Sequence, residues 1–297
     1  MKFQFYICDV FTDVRFGGNP LAVLPDAAGL SSVQMQQIAR EFNFSESAFV
    51  LPSYGGYTRN VRIFKPTQEI PFAGHPNIGA AFVLLSIGEI GNIAEGLNIV
   101  FEEKVGPVPI SIRQVGADIW CELKAPEPLS LGQSIDLDLI AAALSLESED
   151  IITSNHQPIV SSVGLPSIIV ELNSRLALER ARSYPPAIEA IQELGIMPDI
   201  LLYVRSEDDF DIRARVFAPL DGVPEDPATG SANCALATLL SHYKTESTGD
   251  FSWRIAQGVE MKRPSVLEER SKRWPDSGID VWISGTCKMV TEDLIEI

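Results

Sequence analysis

Histidine is scarce in this chain, with His75, His156 and His242 the only three in 297 residues, so a histidine-rich metal site is not expected. The four cysteines, Cys8, Cys121, Cys234 and Cys287, form no CxxC pair and signal neither a zinc knuckle nor a disulfide framework. Basic residues are few as well: 23 Lys and Arg stand against 40 Asp and Glu, for a net charge of −17. Nucleic acid and anionic membrane surfaces both call for clustered Lys and Arg, so neither is expected as a partner. No run approaches the roughly 18 apolar residues that a membrane span needs. The first residues, Met1-Lys2-Phe3-Gln4-Phe5-Tyr6-Ile7-Cys8-Asp9, offer too short an apolar stretch for a signal peptide and read as a strand. The expectation is a soluble, cytoplasmic protein. What is present fits a folded chain, because 45% hydrophobic and 21% charged residues exclude wholesale disorder. The length suits two ordinary domains or one large one.

The chain repeats itself. Arg62-Ile63-Phe64-Lys65-Pro66 returns as Arg215-Val216-Phe217-Ala218-Pro219. Each is followed by a Pro/Gly loop and an apolar run of small residues, from Phe72-Ala73-Gly74-His75-Pro76-Asn77 in one half and Ala228-Thr229-Gly230-Ser231-Ala232-Asn233 in the other. Aligning Gly74 with Gly230 pairs Asn77 with Asn233, and the second loop carries three extra residues near Asp226. Further on, Asp118-Ile119-Trp120 has its counterpart in Asp280-Val281-Trp282. Ordered matches at similar gaps point to a duplication.

Short runs of β-branched and aromatic residues predict strands at 3–7, 22–24, 48–51, 59–64, 168–172, 200–204 and 212–217. Residues 31–40 predict an amphipathic helix with Ser31 or Ser32 as N-cap, and 137–144 and 187–194 predict surface helices. The helices over 78–85 and 235–240 are apolar around almost their whole circumference, and a helix without a polar face must be enclosed. Each half therefore reads as a sheet rolled around one helix. Pro126 and Pro128 place the boundary, giving halves 1–126 and 127–297, with the final strand near 281–283 returning to the first domain.

The starts of the two enclosed helices carry the strongest local chemistry. Gly74-His75-Pro76 places a polar residue in a flexible turn with Pro at about the first helical position. Thr229-Gly230-Ser231 offers a capping hydroxyl and an exposed backbone N–H. Enclosed helix starts need caps or an anion, so the two ends, facing each other across a domain cleft, would grip a small carboxylate. The plainer reading leaves His75 and Ser231 as caps. Asp226 lies in a loop stiffened by Pro224 and Pro227, either as a functional acid or as a group favoured by the helix dipole. Glu46 sits where a loop turns into a strand, among Phe44, Ala48 and Phe49; their desolvation would raise its pKa towards the range of proton transfer, unless it is simply solvated. Gly17 and Gly18 force a turn that delivers Asn19, as a functional group or a turn stabiliser; no GxGxxG opens a helix there.

Together these segments resemble the PhzF family of phenazine-biosynthesis-type isomerases, with the diaminopimelate epimerase-like fold. The resemblance rests on Gly18-Asn19-Pro20-Leu21-Ala22-Val23, Ser45-Glu46-Ser47-Ala48-Phe49, Pro71-Phe72-Ala73-Gly74-His75-Pro76, Asp226-Pro227-Ala228-Thr229-Gly230-Ser231-Ala232, and Gln257-Gly258 with Arg263-Pro264-Ser265, in family order. It implies an α+β fold of two pseudo-symmetric domains, each a β-barrel-like sheet wrapped around a central helix. It implies Glu46 as the acid/base, supported by His75 and Asp226. Asn19, Ser45, Gly74, Thr229, Gly230 and Ser231 are then the substrate-binding positions. The epimerases of this fold use one thiol at each helix start; here those places hold no Cys, and Cys234 lies about one turn inside its helix opposite Ile78.

The expected activity is a cofactor-independent, metal-independent isomerisation that moves a proton on a small carboxylate, a shift with no net redox change. Two other readings stand beside it. An inactive member would keep the anion-binding fold without using Glu46. A Ser or Cys hydrolase would need Ser231 or Cys234 beside a base, but there is no GxSxG elbow. Family members often pair as homodimers, which the apolar residues scattered on the strands permit.

Overall fold

The computed structural model describes residues 1–93, 96–276 and 278–297. The chain divides into two compact units, one formed by Met1–Lys124 with Lys262–Val266 and Ile283–Ile297, the other by Ala125–Met261 with Leu267–Trp282. The change-over at Lys124 precedes the two prolines expected to mark it. The reason is local: Ala125 N donates to Val281 O at 3.0 Å, inside the second unit.

The first unit holds strands β1 (Lys2–Val10), β2 (Asn19–Leu24), β3 (Ser47–Leu51), β4 (Arg59–Phe64), β5 (Glu69–Ile70), β6 (Leu97–Glu103), β7 (Gly106–Val115) and β8 (Asp118–Lys124), with helices α1 (Ser32–Phe42) and α2 (Gly74–Ser86). The second holds β9 (Ser130–Ser134), β10 (Ile151–Ile152), β11 (Ile159–Ser162), β12 (Pro166–Leu172), β13 (Ile200–Arg205), β14 (Ile212–Ala218), β15 (Val223–Asp226) and β16 (Gly249–Gln257). Its helices are α3 (Leu137–Leu144), α4 (Arg175–Arg180), α5 (Pro185–Glu193) and α6 (Gly230–His242). Strands β17 (Ser265–Arg273) and β18 (Ile279–Glu296) each contribute residues to both units.

In the first unit the pairing runs β1–β2–β3–β4–β6–β7–β8–β18 and closes with β18 on β1. The β2–β3 and β4–β6 pairs are parallel. This ring encloses α2, which packs against β1, β2, β3, β7 and β8 and is buried from Gly74 to Leu84. Outside the ring, α1 lays Met35, Ile38 and Ala39 on Phe49, Phe64 and Leu24. Ser31 caps α1 in a reciprocal pair with Gln34, and Asn43 ends it in the left-handed region.

The second unit repeats the plan. Its order is β9–β11–β12–β13–β14–β16, with β12–β13 and β14–β16 parallel, and α6 packs against β11, β12 and β16. A second apolar cluster, with Ile140, Leu144, Leu178, Ile188 and Ile191, carries α3, α4 and α5.

The duplication reaches individual side chains. Arg62 pairs with Glu69 and covers Phe64 at 5.2 Å; Arg215 pairs with Glu225 and covers Phe217 at 4.8 Å. Arg113 stacks over Trp120 and Arg270 over Trp282, both at 3.8 Å.

Three local expectations are corrected. Asp226 is no loop residue but the end of β15, in register with Val216. The final strand is 18 residues long, where residues 281–283 were expected. Its polar tail follows no apolar alternation, yet pairs along β1 from Thr291 opposite Ile7 to Glu296 opposite Lys2. Pro76 is the third residue of α2, where its missing N–H still costs no hydrogen bond.

Candidate active site

In the first unit, Asn19, Ser45, Glu46, Gly74 and His75 come together. The turn ahead of β2 is built to deliver Asn19. Gly18 has φ +63°, and a Cβ there would lie 2.2 Å from Val10 O, so only glycine fits. Arg263 binds the carbonyls of Gly17 and Gly18, each at 2.9 Å, and Asp9 Oδ1 at 2.5 Å, while Asp9 Oδ2 accepts from Phe16 N at 2.6 Å. Asp9 is almost fully buried, so its charge needs this partner. Asn19 is wholly enclosed; Ser45 Oγ donates to its Oδ1 at 3.0 Å, and its Nδ2 lies 3.5 Å from His75 Nδ1.

Glu46 stands immediately ahead of β3, with only 9% of its surface exposed. Its Oε2 is 3.3 Å from His75 Nδ1. Burial pushes the His75 pKa down to about 3, so the imidazole is neutral. His75 Nδ1 is thus shared between Glu46 Oε2 and Asn19 Nδ2, and which of them it bonds depends on which ring nitrogen carries the proton. His75 Nε2 is buried with no protein partner among the described residues. A neutral ring beside a carboxyl group, with its far nitrogen unengaged among the described residues, is chemically able to take up or pass on a proton.

In the second unit, Asp226, Thr229, Gly230 and Ser231 gather at the start of α6. Thr229 is the N-cap residue but makes no side-chain capping bond, contrary to the expected capping hydroxyl. Its Oγ1 instead donates to Asp226 Oδ2 at 2.5 Å. Gln257, at the end of β16, ties the group: Nε2 donates to Asp226 O at 2.7 Å, and Oε1 accepts from Asn233 Nδ2 at 2.7 Å and from Thr229 N at 3.2 Å. Ser231 is half-buried.

The helix starts are capped unevenly. Surface helices α1, α3 and α4 start with side-chain caps from Ser31, Asp136 and Ser174, while α5 starts at Pro185 without one. Neither α2 nor α6 has one. Asn77 and Asn233 turn back to bond the carbonyls of Ala73 and Thr229, each at 2.9 Å, so they leave the first-turn N–H groups to other acceptors.

Asp9, Asn77, Glu103 and Gln257 were not singled out as site residues from the sequence. The signal available for Asn77 was its match to Asn233; for Asp9 there was none, since its partner Arg263 is 254 positions away. Cys234 lies buried inside α6, its thiol pushed well up by burial and by Glu269, so thiolate chemistry is disfavoured there. Among the described residues no cluster of His, Cys, Asp and Glu could hold a metal ion, and no helix is long and apolar enough to cross a membrane.

Solved structures place this architecture. A PhzF-family phenazine biosynthesis protein of Bacillus anthracis matches with a TM-score of 0.89 at 22% identity over the whole of both chains. A hydroxyproline epimerase of Agrobacterium vitis matches with a TM-score of 0.67 at 14% identity, over 99% of this chain and 91% of that one. The fold is the α+β, diaminopimelate epimerase-like class of barrels around central helices.

Within that class, the family model for phenazine biosynthesis-like proteins, PhzC-PhzF, matches residues 8–293. A trans-2,3-dihydro-3-hydroxyanthranilate isomerase of Pseudomonas chlororaphis is 33% identical over 95% of each chain. An uncharacterised isomerase of Mesorhizobium japonicum is 37% identical over 89% of each. The chain belongs to the PhzC-PhzF family and is an isomerase of that family.

Proposed function

We propose that this isomerase moves a proton between two carbons of a small, unsaturated carboxylate without a cofactor, using Glu46 as the single acid/base. The observation that carries this reading is the buried Glu46–His75 contact beside the uncapped start of α2. Glu46 as carboxylate accepts a proton from an acidic carbon and returns it to another carbon on the same face. His75 holds the carboxylate in place through Nδ1. First-turn N–H groups of α2 and the helix's partial positive end stabilise the substrate's carboxylate or the enolate that develops as the proton leaves. No electrons are gained or lost in such a shift, so the reaction balances with the substrate alone.

The ring acid named for the Pseudomonas relatives, trans-2,3-dihydro-3-hydroxyanthranilate, belongs to this substrate class and is the probe of choice. Four buried, unpaired cysteines fit action in the reducing cytoplasm. The test is incubation of this acid with the protein in heavy water, followed by mass and NMR analysis. Deuterium entering at carbon with the native chain and not with Glu46→Gln supports the proposal. Equal incorporation by both chains overturns it. An acyl adduct on Ser231 in the same experiment would point to a hydrolase instead.

A further inference from the structure

Glu103 ends β6 and is 93% shielded from solvent, since only 7% of its surface is exposed. Among the described residues neither carboxyl oxygen meets a partner in good hydrogen-bond geometry, and Oδ1 of Asn77 is equally unpartnered; the Asn77 side chain is the one polar group that acts on the carboxyl as a hydrogen-bond neighbour. A charged carboxylate in that state would have no opposite charge and little hydrogen bonding to offset its burial. The corresponding place in the second unit, the end of β16, holds Gln257 against Asn233. There the amide uses both of its faces: Oε1 accepts from Asn233 Nδ2, and Nε2 donates to Asp226 O. A carboxylic acid has the same pair of faces, one acceptor and one donor. A carboxylate has acceptors only.

We infer that Glu103 is a positioning residue held as the neutral acid, standing in for an amide at the start of α2 and keeping the turn that carries His75 in place. Asn77 is the link, since its Nδ2 bonds Ala73 O at 2.9 Å and so ties Glu103's neighbour to the residue preceding Gly74 and His75. Burial pushes the Glu103 pKa up to about 8, against a smaller downward pull from Asn77. The charged groups around it are already engaged. Arg62, Glu69, Glu102 and Lys104 line with it a cavity of about 230 Å³. Arg62 and Lys104 both pair with Glu69, at 2.8 and 2.7 Å. Glu102 accepts from Ser53 and Tyr54. Gly106 faces Glu103 from β7, and α2 contributes Asn77 and, in the same turn, the neutral His75.

The sign follows from linkage. The folded pKa is raised, so stability is complete below the ordinary carboxyl range and is lost as pH rises towards about 8. Over that window the folding equilibrium constant falls by up to about tenfold per pH unit on this group's account. Urea unfolding of the native chain, Glu103→Gln and Glu103→Ala between about pH 5 and about pH 9 reads this directly. Support is a Gln variant whose slope is shallower than the native one by up to about one decade per unit, with the Ala variant weaker throughout. Superimposable slopes, or a Gln variant that does not fold, overturn the inference. NMR titration of the native chain carrying isotope-labelled glutamate, assigned with Glu103→Gln, is a second measurement; the absence of a carboxyl titrating near 8 also overturns it.

The link to His75 rests on the proposed reaction. Its readout is the alkaline limb of deuterium exchange on trans-2,3-dihydro-3-hydroxyanthranilate, which should move to higher pH in Glu103→Gln. An unmoved limb overturns the positioning role. Should the native chain exchange nothing, the proposed reaction fails while the unfolding and titration measurements still judge Glu103.

Discussion

Glu46 and His75 approach each other at 3.3 Å between Oε2 and Nδ1, with 11% and 4% of their side chains exposed. At that depth the contact is an interaction in low dielectric, not a screened surface pair. Replacing Glu46 by Gln keeps the shape and a hydrogen-bonding group but removes the base. The expected loss in exchange rate is about 10²–10⁴-fold, the usual worth of a general acid/base. Thermal unfolding should stay close to native, which separates loss of chemistry from loss of fold.

His75 sets a second expectation. Its folded pKa is depressed to about 3 by burial, below the ordinary imidazole value of about 6.5. Above the ordinary value both states are neutral and the contribution to stability is complete. As pH falls through that value towards about 3, the unfolded chain takes up a proton that the folded chain refuses, and the folding constant drops by up to about tenfold per unit. In His75→Gln this part of the acid-side loss should disappear. Urea midpoints between about pH 4 and about pH 7 test it, and an unchanged acid slope would show that His75 is not neutral in the fold.

Arg263 ties the Asn19 turn to β1, and its geometry makes Lys a poor replacement. The guanidinium reaches Asp9 and two carbonyls in different directions. An ammonium offers no planar fork. Removing one partner of a buried ion pair costs about 3–5 kcal/mol, mostly from the charge left behind. Arg263 keeps 29% of its side chain exposed, so the lower end of that range is expected for Arg263→Ala, with Lys recovering only part. Denaturant unfolding gives the value. Asp9→Asn combined with Arg263→Ala should cost less than the sum of the two single changes, because the double variant leaves no charge stranded.

How far the sequence reaches depends on the range of the interaction concerned. The apolar circumference of α2 and α6 is a local property, and it alone dictates their enclosure. The Arg62-Ile63-Phe64 and Arg215-Val216-Phe217 match carried real packing, since both arginines cover their phenylalanines and pair with an acid on the next strand. Glu46 was legible as a candidate because its apolar neighbours are adjacent in sequence. The rest is long-range. Glu103 sits in Glu102-Glu103-Lys104, which reads as a solvated face; only strand alternation turns Glu103 inward and Glu102 outward. Thr229 looks like a cap until Asp226, placed by β15, takes its hydroxyl. The tail of β18 has no clear apolar pattern, and its place is fixed instead by backbone pairing with β1.

Gly79 and Ala235 occupy matching places in α2 and α6, and they set helix propensity against packing. Alanine is favoured over glycine inside a helix by about 1 kcal/mol, so propensity alone predicts that Gly79→Ala stabilises. A Cβ at Gly79, however, would meet Leu21 Cδ2 at 2.4 Å, Val10 Cγ2 at 2.8 Å and Cys8 Sγ at 3.2 Å. Leu21, Val10 and Cys8 are all fully buried, so none can swing into solvent. Overpacking of this kind costs about 1–3 kcal/mol, more than the propensity gain over most of that range. Gly79→Ala should therefore destabilise by about 1 kcal/mol, and Gly79→Val by clearly more. The reverse change in α6, Ala235→Gly, should also destabilise, since it loses the propensity term and a methyl group from a fully buried position. Urea midpoints of the three variants decide the matter: a Gly79→Ala chain more stable than the native one would mean that β1 and β2 give way around α2 more readily than a close-packed barrel allows.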